Sequence, residues 1–339
     1  MSGANERVAV GFIGFGLIGK RHVLDFRADP GADLVAVAEV HEGRRNEAAE
    51  LMGGSPRRYP DFRKLLDERG VDAVVVSTPD HWHALMTLMA CAAGKDVYVE
   101  KPLSLFVREG RWMADAAKRH GRVVQVGTQQ RSGPHYKKAR ELVRGGHIGD
   151  VVSVRMWAYR NVRPGFGSPP DGDPPPGLDY DLWLGPAPAR RYNPNRSLYH
   201  FRWFWDYSGG QMTNLGQHSL DIAHWYLDAK GPASVVSLGG RHVLADNGET
   251  PDTQDALFEY PGWTASWSHR EAGAAPHHSL EFCGTRGSLT INRKGFVVHP
   301  DPKISPADAI PRFGAHPVGG PGRPASTTRR RPGPSGSRT

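Results

Sequence analysis

Cysteine is nearly absent from this 339-residue chain, which holds only Cys91 and Cys283. Two thiols far apart in apolar surroundings cannot build a disulfide framework or a cysteine-rich metal centre. They point instead to free thiols in a reducing compartment. Long hydrophobic runs are missing as well: no apolar stretch reaches bilayer length, and the opening Met1–Arg7 segment carries no signal core. The expectation is a cytoplasmic protein with no membrane partner. Acids and lysines vanish from residues 310–339, which hold six arginines: Arg312, Arg323, Arg329, Arg330, Arg331 and Arg338. Without them the net charge of +8 falls to +2, so nucleic acid is not an expected partner. A tail of this composition cannot bury a core, and residues 306–339 are expected to be disordered.

Glycine, by contrast, is abundant, and its placement is informative. Gly11-Phe-Ile-Gly14-Phe15-Gly16-Leu17-Ile18-Gly19 follows an apolar strand, Val8–Ile13, and leads into a helix running on through Lys20–Arg27. Strand, glycine turn and helix in this order form a dinucleotide-binding fingerprint. The first glycine makes the turn, the second admits a pyrophosphate, and the third lets helix pack on strand. The helix N-terminus offers unpaired N–H groups and a positive dipole end. The next strand, Asp33–Glu39, ends in an acid 20 positions after Gly19. Glu39 there can accept ribose hydroxyls and repels a 2′-phosphate, so NAD is expected over NADP, although Arg44 and Arg45 follow closely.

Strands and helices then alternate. A helix is expected at 44–52, a short one at 61–69, and a strand at 71–78. A helix through Ala92, a strand at 96–100, a helix at 107–120 and a strand at 123–127 follow. This is a doubly wound parallel sheet with its ligands at the strand C-termini. From Asp150 the pattern changes to alternating strands at 151–157, 233–239, 255–260, 263–269, 278–283 and 288–292, with a Pro/Gly loop over 164–177. Two domains are expected, an NAD(P)-binding Rossmann domain at 1–128 and an α/β domain with an open, mostly antiparallel sheet at 129–305.

Four motifs carry a resemblance. The glycine turn, Thr78-Pro79-Asp-His-Trp-His83, Glu100-Lys101-Pro102 and Gly209-Gly-Gln-Met-Thr-Asn214-Leu-Gly-Gln-His218-Ser-Leu-Asp221 resemble the Gfo/Idh/MocA family over roughly residues 6–300. That family includes glucose–fructose oxidoreductase and inositol dehydrogenase. The resemblance implies an NAD-dependent oxidoreductase acting on a sugar, cyclitol or glycoside hydroxyl, often oligomeric through the C-terminal sheet. It places Thr78, Pro79, His83, Glu100 and Lys101 at the cofactor, with Lys101 beside the nicotinamide and a cis bond before Pro102. It makes His218 the acid/base. Asn214 departs from the family's aspartate there, which leaves room for a glycosidase using transient oxidation and elimination, or for a regulator with a dead site.

The chemistry supports the same residues. Oxidising an alcohol removes a hydride from carbon and a proton from oxygen, so a base and an oxyanion-binding donor are needed. A lysine at a strand end can serve both ends once desolvation and a like charge lower its pKa. Asn214, His218 and Asp221 fall at i, i+4 and i+7 of a helix expected over 211–227, and so share one face. An amide can hold a hydroxyl but cannot take a proton, which leaves base work to His218 or Lys101. Nine of the chain's 31 aromatics lie between Tyr180 and Tyr207. Trp205 with Asp206, and His200 with Arg202, are candidates for sugar faces and hydroxyls. His81-x-His83 and His277-His278 lack further ligands at metal spacing, so no metal is expected. Family members continue past this point with a helix and strand, whereas here the text turns to Arg, Pro, Gly and Ser. A shifted or truncated reading frame after about Gly320 is expected. Translating the gene in its other frames should reveal a family-like continuation, and finding none rejects the shift.

Overall fold

A computed structural model describes residues 7–273 and 278–302. The basic tail and His277 lie outside the described residues. The first half contains β1 (Val8–Ile13), α1 (Leu17–Arg27), β2 (Ala32–Ala38), α2 (Glu42–Met52), β3 (Arg57–Tyr59) and α3 (Phe62–Leu66). It continues through β4 (Ala73–Val76), α4 (Asp80–Ala92), β5 (Asp96–Val99), α5 (Val107–His120) and β6 (Val124–Val126). All six strands run parallel in the order β3-β2-β1-β4-β5-β6. The chain leaves β1 on one side and returns on the other between β1 and β4, which opens a crevice at their C-terminal ends.

Consecutive apolar residues in these strands feed two cores. Val10, Phe12, Val37 and Val75 pack on one face, and Ile13, Ala36, Val74 and Val76 on the other. A sheet covered on both faces requires this, which is why its strands read as unbroken apolar runs. Only β3, Arg-Arg-Tyr, escapes that reading, because an edge strand of three residues has no buried alternation to display.

The second half contains α6 (Pro134–Arg144), β7 (Val151–Tyr159), α7 (Tyr180–Leu184) and α8 (Gln217–Leu227), then β8 (Ser234–Gly240), β9 (Thr253–Tyr260) and β10 (Trp263–Arg270). It ends with β11 (Ser279–Gly284), β12 (Gly287–Asn292) and β13 (Gly295–Pro300). Seven strands form one sheet, β13-β12-β11-β7-β10-β9-β8. Every pair is antiparallel except β7 with β10. One face packs under α6 and α8, where Met156, Trp267, Phe282 and Ile291 meet Ile222 and Tyr226. The other face is open, and the edge strand β8 presents Val236 and Leu238, with Leu257 paired beside Val236. The Rossmann sheet and this sheet belong to one compact unit.

Where the crevice begins, the backbone tolerates only glycine. Gly14 sits at φ +89°, where an added Cβ would lie 2.9 Å from the Ser77 carbonyl oxygen. At Gly19 an added Cβ would fall 2.5 Å from the Gly14 carbonyl oxygen and 2.8 Å from Ser77 Oγ. In an exposed helix alanine would gain about 0.5–1 kcal/mol over glycine. The backbone clash outweighs that gain, so Gly19→Ala should cost about 1–3 kcal/mol. Chemical denaturation checks it; unchanged or raised stability would contradict the close helix–strand packing.

Candidate active site

The glycine turn, the end of β2 and the end of β4 enclose an open cleft of about 980 Å³. Its floor is Gly14, Phe15, Gly16, Leu17 and Ile18, and its sides are Glu39, Arg44, Thr78 and Pro79. Across it lie Trp183, Leu198, Tyr199, Phe201 and Arg202 from the second half of the chain. Leu198 holds φ +58°, an unusual backbone for a bulky residue, and this directs the chain into the aromatic turn His200–Trp203.

A dinucleotide fits this floor. An added Cβ on Gly16 meets nothing within 4 Å, so that space is open to a phosphate group. The first N–H groups of α1 lack helical partners and point out of the helix at the same place. Glu39 is 8% exposed. Its two carboxylate oxygens accept from Phe15 N at 2.7 Å and His41 N at 2.9 Å. Each oxygen keeps a second lone pair, sufficient for a pair of ribose hydroxyls. Arg45 is committed to the Glu39 carbonyl oxygen at 2.6 Å, which leaves Arg44 as the arginine lining the cleft.

The chain leaves β5 through the Lys101–Pro102 step, whose peptide bond is cis. Lys101 Nζ donates to the Asn214 carbonyl oxygen at 2.9 Å and to Asn214 Oδ1 at 3.1 Å. Among the described residues no carboxylate stands within ion-pair distance of it. Burial therefore dominates and pushes the Lys101 ammonium down to about 8, with nearby Asp80 and Glu100 opposing and Arg202 and Arg293 assisting. Asp80 is itself pushed upward by burial and is held by Ser208 Oγ.

Asn214 does not sit on a regular α-helix. Residues Met212–Gly216 form a π turn ahead of α8, which offers the Asn214 carbonyl to Lys101. The amide orientation is fixed through a chain: Asn214 Nδ2 donates to Gln211 Oε1 at 3.2 Å, and Gln211 Nε2 donates to Glu271. Arg160 Nε donates to the other oxygen of Glu271 at 2.8 Å. His218 is buried, and burial followed by the Lys101, Arg293 and His278 charges pushes its imidazole down to about 2. The ring is neutral at any physiological pH.

Several residues expected at the site do other work. Asp221 is taken up by another partner: Arg131 grips it in a bidentate pair at 2.6–3.1 Å. Asp206 is consumed by Arg190 and Arg196. Trp205 is 54% exposed and outside the cleft lining, its backbone N–H tied to Glu249. His83 is buried with its ring nitrogens 2.7 Å from the Pro102 carbonyl oxygen and 2.9 Å from that of Thr78, so it braces the loop rather than facing the cofactor. Glu100 is buried against His22 Nε2 at 2.8 Å and pins the Lys101 step to α1. Sequence reasoning missed Gln211, although its place three residues before Asn214 was a usable signal. It also missed Gln130, whose buried amide in the Gln129–Ser132 turn after β6 has no side-chain partner among the described residues.

Comparisons with known proteins agree with this geometry. A family model described as an oxidoreductase family with an NAD-binding Rossmann fold matches residues 8–128. Its companion, an oxidoreductase-family C-terminal α/β domain, matches residues 154–241. The scyllo-inositol 2-dehydrogenase (NAD(+)) of Bacillus subtilis is 26% identical over 91% of this chain and 81% of its own length. The inositol 2-dehydrogenase of Rubrobacter xylanophilus is 38% identical over 50% of this chain and 49% of its own. A levoglucosan dehydrogenase solved with NADH and levoglucosan superposes with a TM-score of 0.68 at 22% identity. It covers 87% of this chain and 80% of that one, a similarity of fold.

The glycine at 16 separates binding from folding. Gly16→Ala should change stability by less than about 1 kcal/mol, since the methyl meets no protein atom. It should nevertheless weaken NAD binding at least about tenfold by occupying the phosphate space. Calorimetric titration with NAD measures this, and an unchanged affinity would remove the phosphate from that loop.

Proposed function

The chain belongs to the Gfo/Idh/MocA family of NAD-binding oxidoreductases, and from that premise we propose that it is a dehydrogenase oxidising a hydroxyl of a sugar, cyclitol or glycoside. The observation that carries this reading is the desolvated Lys101 amine held against Asn214, just past the end of β5, the strand paired with β4 whose own end lines the dinucleotide cleft. The names of its relatives, inositol and levoglucosan dehydrogenases, support the substrate class.

Glu39 and the glycine turn hold the adenosine half and the pyrophosphate. Bound NAD supplies the acceptor for the hydride leaving the carbinol carbon. Lys101 takes the hydroxyl proton, and as an ammonium it then faces the oxygen on which charge develops. Of the two candidate bases Lys101 is the stronger, because an imidazole held near 2 scarcely accepts a proton at neutral pH whereas an amine near 8 does. Neutral His218 contributes a hydrogen bond to the substrate oxygen. Asn214 orients the lysine: its amide oxygen points at Nζ, so it steers the ammonium without competing for the proton. The exposed Val236, Leu238 and Leu257 on the open sheet face suit pairing with a second copy, and the free thiols Cys91 and Cys283 suit a reducing, cytoplasmic setting.

A panel of sugars, inositols and glycosides tested with NAD should yield steady NADH accumulation with at least one. Aglycone release without net NADH would mark a glycosidase instead, and tight NAD binding without either would mark a regulator. Lys101→Ala should abolish turnover and leave NAD affinity within about threefold; retained turnover would refute the assignment.

The pH dependence has a definite sign. Only neutral Lys101 accepts a proton, and with a pKa of about 8 roughly a tenth of it is neutral at pH 7. Oxidation should therefore speed up as pH rises and level off above about 8, while the reverse reduction falls over the same window. In Asn214→Asp the new carboxylate would stabilise the ammonium and should move that limb upward by about one unit or more. Rate profiles of both enzymes check it, and a limb that stays or moves down would contradict the contact.

A further inference from the structure

Asp80 is a buried carboxylate that the hydride-transfer chemistry leaves unused. It stands at the first position of α4, directly after Thr78 and Pro79 in the wall of the cofactor cleft. A carboxylate taken out of water needs donors or positive charge beside it. The N-terminal end of α4 supplies the one, and the Ser208 hydroxyl, donating to Asp80 Oδ2, supplies the other. Ser208 is itself buried and belongs to the second half of the chain, so this bond ties the two halves together.

On either side of the bond stands one member of the reacting pair. Ser208 Oγ lies 3.4 Å from Thr213 Oγ1, which accepts the Gly209 N–H at 3.1 Å. An added Cβ at Gly209 would fall 2.6 Å from Thr213 Cγ2, so this loop packs directly on the π turn. Thr213 precedes Asn214, whose two oxygens hold Lys101 Nζ. On the other side, Asp80 and His83 are three residues apart and share one face of the first turn of α4. The His83 ring lies 2.7 Å from the carbonyl oxygen of Pro102, the residue after Lys101. One helical turn therefore grips both partners of the Lys101–Asn214 contact, the lysine through His83 and the asparagine through Asp80 and Ser208. The Gln211–Glu271 chain fixes the same amide from the end of β10.

We propose that Asp80 is a positioning residue of the reaction: acting through Ser208 and Thr213, it holds the Asn214 oxygens against Lys101 from the cofactor side of the cleft. The proposal rests on the dehydrogenase reading and deepens it, but its test needs no substrate.

Lysine-selective 15N labelling follows the Lys101 titration midpoint, on which the charges of Asp80, Glu100, Arg202 and Arg293 bear and beside which His218 stays neutral. Asp80→Asn removes the charge and keeps an acceptor for the Ser208 hydroxyl, whereas Asp80→Ala removes both. Loosening the two Asn214 acceptors disfavours the ammonium. Asp80→Ala should therefore titrate at least about half a unit below Asp80→Asn, roughly threefold in proton affinity. In a Ser208→Ala background the two should coincide, since no hydroxyl remains to be held. No difference between the asparagine and alanine variants, or the same difference with and without Ser208, would overturn the positioning role. If Asp80→Ala does not fold, Ser208→Ala alone decides: a midpoint at least about half a unit below wild type upholds the proposal, and an unmoved one overturns it. With any sugar that wild type oxidises, Ser208→Ala should also lower kcat at least about fivefold and leave KM for NAD within about threefold; an unchanged kcat would overturn the role as well. If wild type oxidises no sugar, the dehydrogenase reading falls and the titration still decides whether Asp80 holds the contact.

Discussion

An amine taken out of water without a carboxylate to replace it loses proton affinity, and Lys101 is held in that condition. Its partners are the oxygens of an amide and a peptide, which accept hydrogen bonds but carry no charge. A carboxylate at Asn214 would bind the ammonium far more tightly and keep it protonated. The amide instead leaves the lysine near the pH at which it can exchange protons with an alcohol. The surrounding structure serves that contact. Glu100 and His83 fix the two sides of the Lys101–Pro102 step, and the π turn presents Asn214. The Gln211–Glu271–Arg160 chain prevents the amide from turning over.

The two halves of the chain divide the work by their physics. A parallel sheet buried on both faces is rigid, and its strand ends supply a fixed cradle for a dinucleotide. The second sheet is covered on one face only, and its loops reach across the cleft. Leu198, strained into left-handed backbone, leads the chain to Tyr199 and Arg202, which both line the cofactor cleft. Strain retained at such a point is sustained by the packing of Phe201, Trp203 and Phe204 behind it.

Much of this was legible in the sequence. The glycine turn and Glu39 follow from local rules: positive φ, close approach and an acid at the second strand end each demand one residue type, whereas the Lys101 step was legible through the family resemblance and the chemistry of alcohol oxidation. The strands of the buried sheet were readable as apolar runs for the same reason. β3 and β13 were not, because short or exposed strands show no alternation. The misreadings at the site share one cause. Periodicity places side chains on a helix face, but it cannot see that a π turn at Met212–Gly216 takes Asn214 off the regular register or that Arg131 holds Asp221. Nor can composition reveal which polar groups are already paired, as with Asp206 and Glu100. Glycine positions report backbone demands, whereas carboxylates report partners that only the fold supplies.

The depressed proton affinity of Lys101 can be observed without any substrate. Lysine-selective 15N labelling and an NMR pH titration, with Lys101→Ala to assign the resonance, would follow that amine directly. Lys101 should titrate with a midpoint at about 8, well below the ordinary lysine value. A Lys101 midpoint at the ordinary value near 10.4 would contradict it.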